Sequence, residues 1–359
     1  LGDVYKRQID GRLEIITSPL VFPLRVAGEP RFGYALDPRL NASYAAVNLL
    51  ITQGVDVFRC ADTLATPTSE LQPGSFVVPD VHNDLLVQIA DEMQLDICPL
   101  TNEVPDLKPV VRQRVGVYQG YLGGNVDEGW TRLFLEQFAF PFESIMDEDI
   151  KQGGLRERLD LLLLPSSRAE ALTGELEWWW EKHRRHWPAP IYPPEFQSGF
   201  GDEGVVAIKD YVQQGGTLLT LDQACHFAIE KLDLPVRDVL KDVDDQRFFC
   251  PGSTLRVRFD NRHPIAYGMP AEGLVLFWNS PAFAILPTPH NERCNIVASY
   301  AEAGLLQSGW LIGEDMLRRK AALIEAACGE GRVVLVGFRA QHRAQTDGTF
   351  KVLCNSLLR

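Results

Sequence analysis

The chain has 359 residues, of which 45% are hydrophobic and 23% charged, and it carries a net charge of −13. That length holds two domains, or one domain with insertions, and the composition is that of a folded globular protein. The acidic balance excludes a general nucleic-acid binder, whose phosphate contacts need a Lys/Arg-rich surface. The one short basic cluster is HRRHW at 183–187. No apolar run approaches the roughly 18 residues of a membrane span. Seven scattered cysteines without a CxxC pair read as mostly free, buried thiols rather than a disulfide framework or a zinc cluster.

Residues 1–8, LGDVYKRQ, resemble the translated end of a transposon-based sequencing adapter. The native chain is therefore expected to begin at Ile9, from a gene truncated upstream, and residues 1–8 are set apart from fold reasoning. Residues 9–108 are expected to form a small α/β unit and linker. Within it Phe32–Leu36 reads as a strand, Asp37-Pro38 as a turn, Ala42–Thr52 as a helix closed by Gly54, and Val55–Cys60 as a second strand. This β-α-β order predicts parallel pairing with a right-handed crossover. LQPGSFVVP is a further strand, and residues 99–112, with three prolines, read as a linker.

Residues 109–359 are expected to form the main α/β domain. RVGVYQG is a strand, followed by a glycine turn and a helix with Trp130, Leu133, Phe134 and Phe138 on one face. LDLLLLP is apolar throughout, as in a parallel sheet covered on both sides. An irregular insertion spans about 168–200. Then come the helix DEGVVAIKDYVQQGG, the strand TLLTL and the helix DQACHFAIEKL. A strand-rich part follows at about 248–312, then the strand GRVVLVGF and a terminal helix over Thr349–Leu358. The pattern predicts an open, doubly wound parallel sheet of the flavodoxin type with a strand-rich elaboration. Sites in such sheets lie beyond the carboxyl ends of the strands, here Gln119–Asn125, Pro165–Ser167, Asp222–His226 and Arg339–His342.

The most informative stretch for chemistry is QGGTLLTLDQACHFAIE, a strand, sharp turn and helix able to form a nucleophile elbow. It resembles class I glutamine amidotransferases, where a glycine pair leads into a strand and then a cysteine flanked by glycine. Gly215-Gly216 and Thr217–Leu221 fit that pattern, but the nucleophile position falls on Asp222. Cys225 lies one turn into the helix, where a packed structural thiol is expected. That family's His-Pro-Glu would fall in GFRAQHRAQTDGTF, which offers His342 without the Pro-Glu. The candidate catalytic residues are therefore Asp222, Cys225 and His342.

No cofactor or metal site is expected. His183 and His186 have i, i+3 spacing but arginine neighbours and no third ligand; His290 has glutamate only two residues on. The glycines of YLGGNVDEGW form neither a dinucleotide nor a phosphate-loop motif, and Asp127 and Glu128 would repel phosphate, so a tight turn capped by Asn125 or Asp127 is expected. The aromatics around Trp178–Trp187 could stack a sugar or peptide, although consecutive tryptophans cannot share one helix face.

Several phrases in order, among them DEGWTRLFLEQFAFPF, GVVAIKDYVQQGGTLLTLD, FFCPGSTLRV, LQSGWLIGED and GRVVLVGFRAQHRAQTDGTFKVLCNSLL, resemble the long C-terminal region of bacterial zinc carboxypeptidase-like metallopeptidases of the carboxypeptidase A-like family. The resemblance implies an upstream peptidase domain carrying zinc on an H-x-x-E motif and a later histidine, as this chain's partner within one polypeptide. It also implies a periplasmic or secreted location. No residue here matches a zinc ligand or the catalytic glutamate of that family. The expected function is the non-catalytic C-terminal portion of such an enzyme. The alternatives are a stand-alone amidotransferase-like hydrolase using Cys225 or Asp222 with His342, and a carbohydrate- or peptide-binding module.

Overall fold

In a computed structural model of the chain, the described residues are 14–19, 29–67, 69–79, 84–120, 126–175, 199–287, 289 and 293–358. The adapter-like residues 1–8, the cap candidate Asn125, the histidine pair 183/186, His290 and the aromatic run 178–187 lie outside them.

The N-terminal segment forms strands β1 (Tyr34–Leu36), β2 (Phe58–Arg59), a small pair β3 (Leu64–Ala65) and β4 (Glu70–Leu71), then β5 (Phe76–Val78), β6 (Ile97–Pro99) and β7 (Lys108–Pro109). Five of these make one antiparallel sheet in the order β6-β1-β5-β2-β7. The parallel β-α-β pairing expected for residues 32–60 is thus corrected. β1 and β2 run in the same direction, as a helical crossover over Asn41–Thr52 requires, but β5 lies between them and pairs with both. A local pattern encodes strand direction; adjacency is decided by which buried strand fills the gap, and β5 is buried at all three positions. The linker expected over 99–112 is corrected as well. Lys108 and Pro109 pair with Arg59 and Phe58, and proline is tolerated because β7 is an edge with no further ladder to supply.

The large sheet contains β8 (Val115–Tyr118), β9 (Phe142–Ile145), β10 (Leu161–Leu164), β11 (Thr217–Leu221), β12 (Val236–Asp238), β13 (Ser253–Phe259), β14 (Glu272–Phe277), β15 (Phe283–Ile285), β16 (Cys294–Tyr300), β17 (Leu306–Ser308), β18 (Ala321–Cys328) and β19 (Gly331–Val336). Its first half is parallel, in the order β9-β8-β10-β11-β19. Numbered by appearance, these five strands lie 2-1-3-4-5. From β19 onward the sheet turns antiparallel through β18, β16, β13 and β14. The protein is therefore a mixed α/β structure with a large central sheet, and its antiparallel part runs from β12 to β18, beyond the expected 248–312.

Alternation along the parallel strands explains their apolar composition. Leu161 and Leu163, Leu219 and Leu221, and Val334 and Val336 enter one hydrophobic cluster; Leu162 and Leu164, Leu218, and Val333 and Leu335 enter the other. Successive strand side chains point to opposite faces, so a strand covered on both sides must be apolar at every position. One face is covered by the helices Val126–Gln137 and Phe350–Leu357, through Phe134 and Phe350 together with Phe138 just past the first helix, whose ring centroids lie 4.9–5.7 Å apart. On the first of these helices Leu135, rather than Leu133, is the fully buried leucine. The other face is covered by Gly201–Gln213 and Cys225–Lys231, through Ile208, Tyr211 and Phe227.

The first cluster does not stop at the sheet. It also contains Tyr34, Leu36, Tyr44, Phe76 and Val78 of the N-terminal segment, so the two segments share apolar contacts. Polar contacts add to the join: Tyr44 Oη and Arg59 Nη1 each donate to Asn355 Oδ1, at 3.1 Å.

Candidate functional site

The carboxyl ends of β10, β11 and β19 meet at Asp222. This residue follows β11 directly and adopts a left-handed conformation (φ 51°) before the chain turns into the helix Cys225–Lys231. A strand, a residue at positive φ and a helix are the geometry of a nucleophile elbow. Asp and Asn tolerate this region better than other side-chain-bearing residues, which suits aspartate to the position.

The aspartate is 1% exposed. Ser166 Oγ, just past β10, donates to its Oδ2 at 2.8 Å. Arg339, just past β19, brings Nε to 3.1 Å of the same oxygen as an ion pair, with the N–H out of line for a hydrogen bond. Asp222 Oδ1 is buried without a partner. Arg339 also reaches Asp127 Oδ1 through Nη1 at 3.1 Å, and the Ser166 backbone N–H donates to Asp127 Oδ2 at 2.9 Å. One guanidinium thus serves two carboxylates, one buried (Asp222) and one partly buried (Asp127). Burial raises the Asp127 pKa above the usual carboxylate value and the nearby Asp222 charge adds to the rise, while Arg339 and the Ser166 N–H oppose it.

His342 lines the same small void as Asp222 and Asp127, but no hydrogen bond joins His342 to Asp222. Its ring instead packs against Trp278, with centroids 5.3 Å apart. Burial lowers its pKa, the Arg339 and Arg343 charges lower it further, and Asp222 pulls the other way. An NMR titration of His342 should accordingly give a midpoint below the ordinary value of about 6.5. Asp222→Asn should lower that midpoint again by removing the one opposing charge. An unshifted midpoint in both proteins would contradict this arrangement. The void itself measures about 10 Å³, at the lower limit for a single water. It does not accommodate a substrate.

Cys225 does not face this void. It is fully buried, with Sγ 3.3 Å from Thr220 Oγ1 and 3.5 Å from the carbonyls of Thr220 and Val336, and burial drives its thiol pKa well upward. A thiol held neutral inside a core is a poor nucleophile. In the folded protein Cys225 should resist an aromatic disulfide reagent that labels it promptly in denaturant; fast native labelling at this position, read by peptide mapping, would reverse that assignment.

Next to the elbow lies a much larger opening, a cleft of about 410 Å³ lined by Gln223, His226, Asp238, Lys241, Asn279 and Ser280 among others. His226 Nε2 sits 2.9 Å from Asp238 Oδ2. Asp238 Oδ1 accepts from the backbone N–H groups of Leu240 and Ala282, both at 3.0 Å, so the carboxylate is held from both sides. Such a pair fixes the imidazole's orientation and tautomer. His226 fell within the span singled out in the sequence; Asp238 did not, because PVRDVL carries no local sign that its aspartate will face a helix twelve residues earlier. Asp127, read as a deterrent to phosphate, becomes a partner of Arg339 for the same reason. The glycine turn before it, 121–125, lies outside the described residues.

Among the described residues no group of three or more His, Cys, Asp or Glu side chains could hold a metal ion, and no helix is long and apolar enough to cross a membrane.

Comparison with known proteins finds no matching family and no matching curated protein. Solved structures with similarity include a cytoplasmic protein from Salmonella typhimurium, 12% identical, with a TM-score of 0.39 over 69% of this chain and 99% of that one. A ThuA-like protein from Bacteroides uniformis is also 12% identical, with a TM-score of 0.38 over 71% of this chain and 93% of that one. The beta-galactosidase from Bacillus circulans is 9% identical, with a TM-score of 0.38 over 67% of this chain and 30% of that one. No functional assignment follows from similarities of this size.

Proposed function

We propose that this chain is a non-catalytic module with a flavodoxin-like, class I glutamine amidotransferase-like sheet. In this reading it is the C-terminal portion of a zinc carboxypeptidase-like enzyme. The observation that carries the non-catalytic reading is the elbow: its nucleophile position holds Asp222, neutralised by Arg339 and enclosed beside a void of about 10 Å³. The strand order 2-1-3-4-5 supports the sheet assignment, since flavodoxin-type doubly wound sheets share it. The link to the peptidase rests on the ordered phrases that end in GRVVLVGFRAQHRAQTDGTFKVLCNSLL. On that reading zinc is held by the upstream domain, where a metal-bound water activated by a glutamate would hydrolyse peptides, in a periplasmic or secreted enzyme. The described residues of this chain do not provide a zinc donor set, and none of its side chains is assigned a chemical step.

The test is an assay of the purified chain, supplied with zinc, on peptides with free C-termini and on glutamine. Neither substrate should turn over. Chelator-sensitive release of C-terminal residues, or glutamine hydrolysis lost on Cys225→Ala, would overturn the proposal.

A second reading, a binding module for a polar ligand such as a glycan or peptide, is favoured by the cleft at His226 and Asp238. Its rigid imidazole would act as a hydrogen-bonding group there. Titration with a glycan and peptide panel should then move the His226 ring resonances; resonances unmoved across the panel would remove this reading.

A further inference from the structure

On the second reading, in which the cleft beside the elbow is a binding site, its walls specify the class of ligand. The opening of about 410 Å³ falls within the roughly 300–1,000 Å³ of small-molecule sites. Asp238 ends β12 and holds one side of the His226 ring through Nε2. A carboxylate only accepts, so Nε2 carries a hydrogen and Nδ1 is the nitrogen left over, an acceptor in the neutral ring. Nδ1 makes no hydrogen bond among the described residues and is not one of their buried unpartnered atoms; the ring is partly exposed, and the cleft reaches it. Asn279 supplies a second free group on the same lining. Its backbone is left-handed (φ 47°) and its carbonyl oxygen accepts from Gln223 Nε2 at 2.6 Å. Its exposed side-chain amide, both donor and acceptor, has no partner among the described residues.

Charge and polarity narrow the choice. Among the described residues of the lining, two cations, Arg168 and Lys241, face five carboxylates, an excess of negative charge that opposes an anionic ligand. Two of the carboxylates are already engaged, Asp238 by His226 and Glu230 by Lys241 at 2.6 Å. A basic side chain would match the remaining carboxylates but meet the like charges of Arg168 and Lys241. An apolar ligand would strip water from donors and acceptors alike without replacing the lost hydrogen bonds. A hydroxyl both donates and accepts, so a ring carrying several of them satisfies both kinds of group. Leu240, Val243 and Phe248 add an apolar strip, which suits the C–H face of such a ring.

We propose that the cleft binds an uncharged sugar at the end of a neutral glycan, one hydroxyl donating to His226 Nδ1, another paired with the Asn279 amide, and the C–H face of the ring against the apolar strip.

The experiment titrates the full chain by calorimetry with cellobiose, lactose, maltose and chitobiose, and with glucuronate and a lysine-rich peptide as charged comparisons, each at low and high salt. At least one neutral disaccharide should bind saturably, with an affinity that salt does not change, because no charge of the ligand is there to be screened. His226→Ala should weaken that binding by roughly tenfold, the loss of a hydrogen bond to a ring polarised by a carboxylate. Asn279→Gly removes the amide at a backbone conformation glycine adopts freely and leaves the carbonyl that Gln223 uses. It should weaken binding by roughly threefold, the loss of one neutral hydrogen bond, and serves as the readout if His226→Ala does not fold. Preferential binding of the peptide or of glucuronate, lost in His226→Ala, would overturn the sugar assignment and leave the cleft a binding site. Sugar binding that falls steeply with salt, or that either variant retains in full, would overturn the proposal. Saturable binding of none of these ligands would overturn both the proposal and the second reading on which it rests.

Discussion

Arg339→Met should destabilise the protein by about 3–5 kcal/mol, the cost of breaking a buried ion pair from one side. The substitution leaves Asp222 and Asp127 facing each other without their shared guanidinium. Urea unfolding checks it, and a variant within about 0.5 kcal/mol of the parent, the range of an ordinary surface change, would show that the ion pair carries little. The pH dependence has a definite sign. Asp127 already sits above the usual carboxylate pKa because of burial, and losing Arg339 removes the first of the influences opposing that rise. A carboxyl raised further in the folded state binds its proton more tightly there than in the unfolded chain, so the penalty is fullest at neutral pH. It should shrink as pH falls through the folded-state pKa of Asp127, where the proton replaces the lost charge partner. Adding Asp222→Asn to Arg339→Met should recover part of the loss, because one of the two uncompensated charges is then gone.

Gly268→Ala should weaken the join between the N-terminal segment and the main unit. Gly268 has φ +71°, and a Cβ there would lie 2.0 Å from the Pro38 carbonyl oxygen and 2.5 Å from its carbon. Left-handed backbone costs an alanine about 1–2 kcal/mol, and overpacking against backbone adds about 1–3 kcal/mol. The neighbouring Tyr267 contributes its carbonyl to Asn355 and Tyr44 and its ring to Arg59. Displacing this turn should therefore disturb the packing of Arg59 and Asn355 as well. Hydrogen exchange is the discriminating measurement: amides of β1 and β5 should lose protection while those of β10 and β11 keep theirs. Uniform loss of protection across both sheets would mean that the two segments unfold as one cooperative unit.

The parts of the fold legible in the sequence were those whose burial is two-sided or whose ends are marked by glycine. Leu161–Leu164 reads as a strand because all four side chains must be apolar, and Thr217–Leu221 because a glycine pair precedes it. Four strands of the large sheet are not marked in the sequence, and two of them, Val236–Asp238 and Phe283–Ile285, are only three residues long. Phe142–Ile145 is an edge strand, half polar and partly exposed, with little to set it apart from a loop. Ala321–Cys328 is rich in alanine, which has no preference for strands; it becomes one because it pairs on both sides, with β16 and with β19, deep in the sheet. There tertiary pairing overrides local propensity.

By itself the sequence determined that Asp222 follows Thr217–Leu221 directly, that Cys225 comes three residues later, and that no Pro-Glu follows His342. Those facts depend on spacing along the chain, and spacing is visible in one dimension. Only the tertiary structure decided what fills the elbow and what it touches. Arg339 lies 117 residues beyond Asp222 in sequence, and their ion pair exists because β11 and β19 are neighbours in the sheet. The His226–Asp238 contact has the same origin. A side chain's charge is written in the sequence, but its counter-charge is set by which strands and helices the burial of apolar surface brings together.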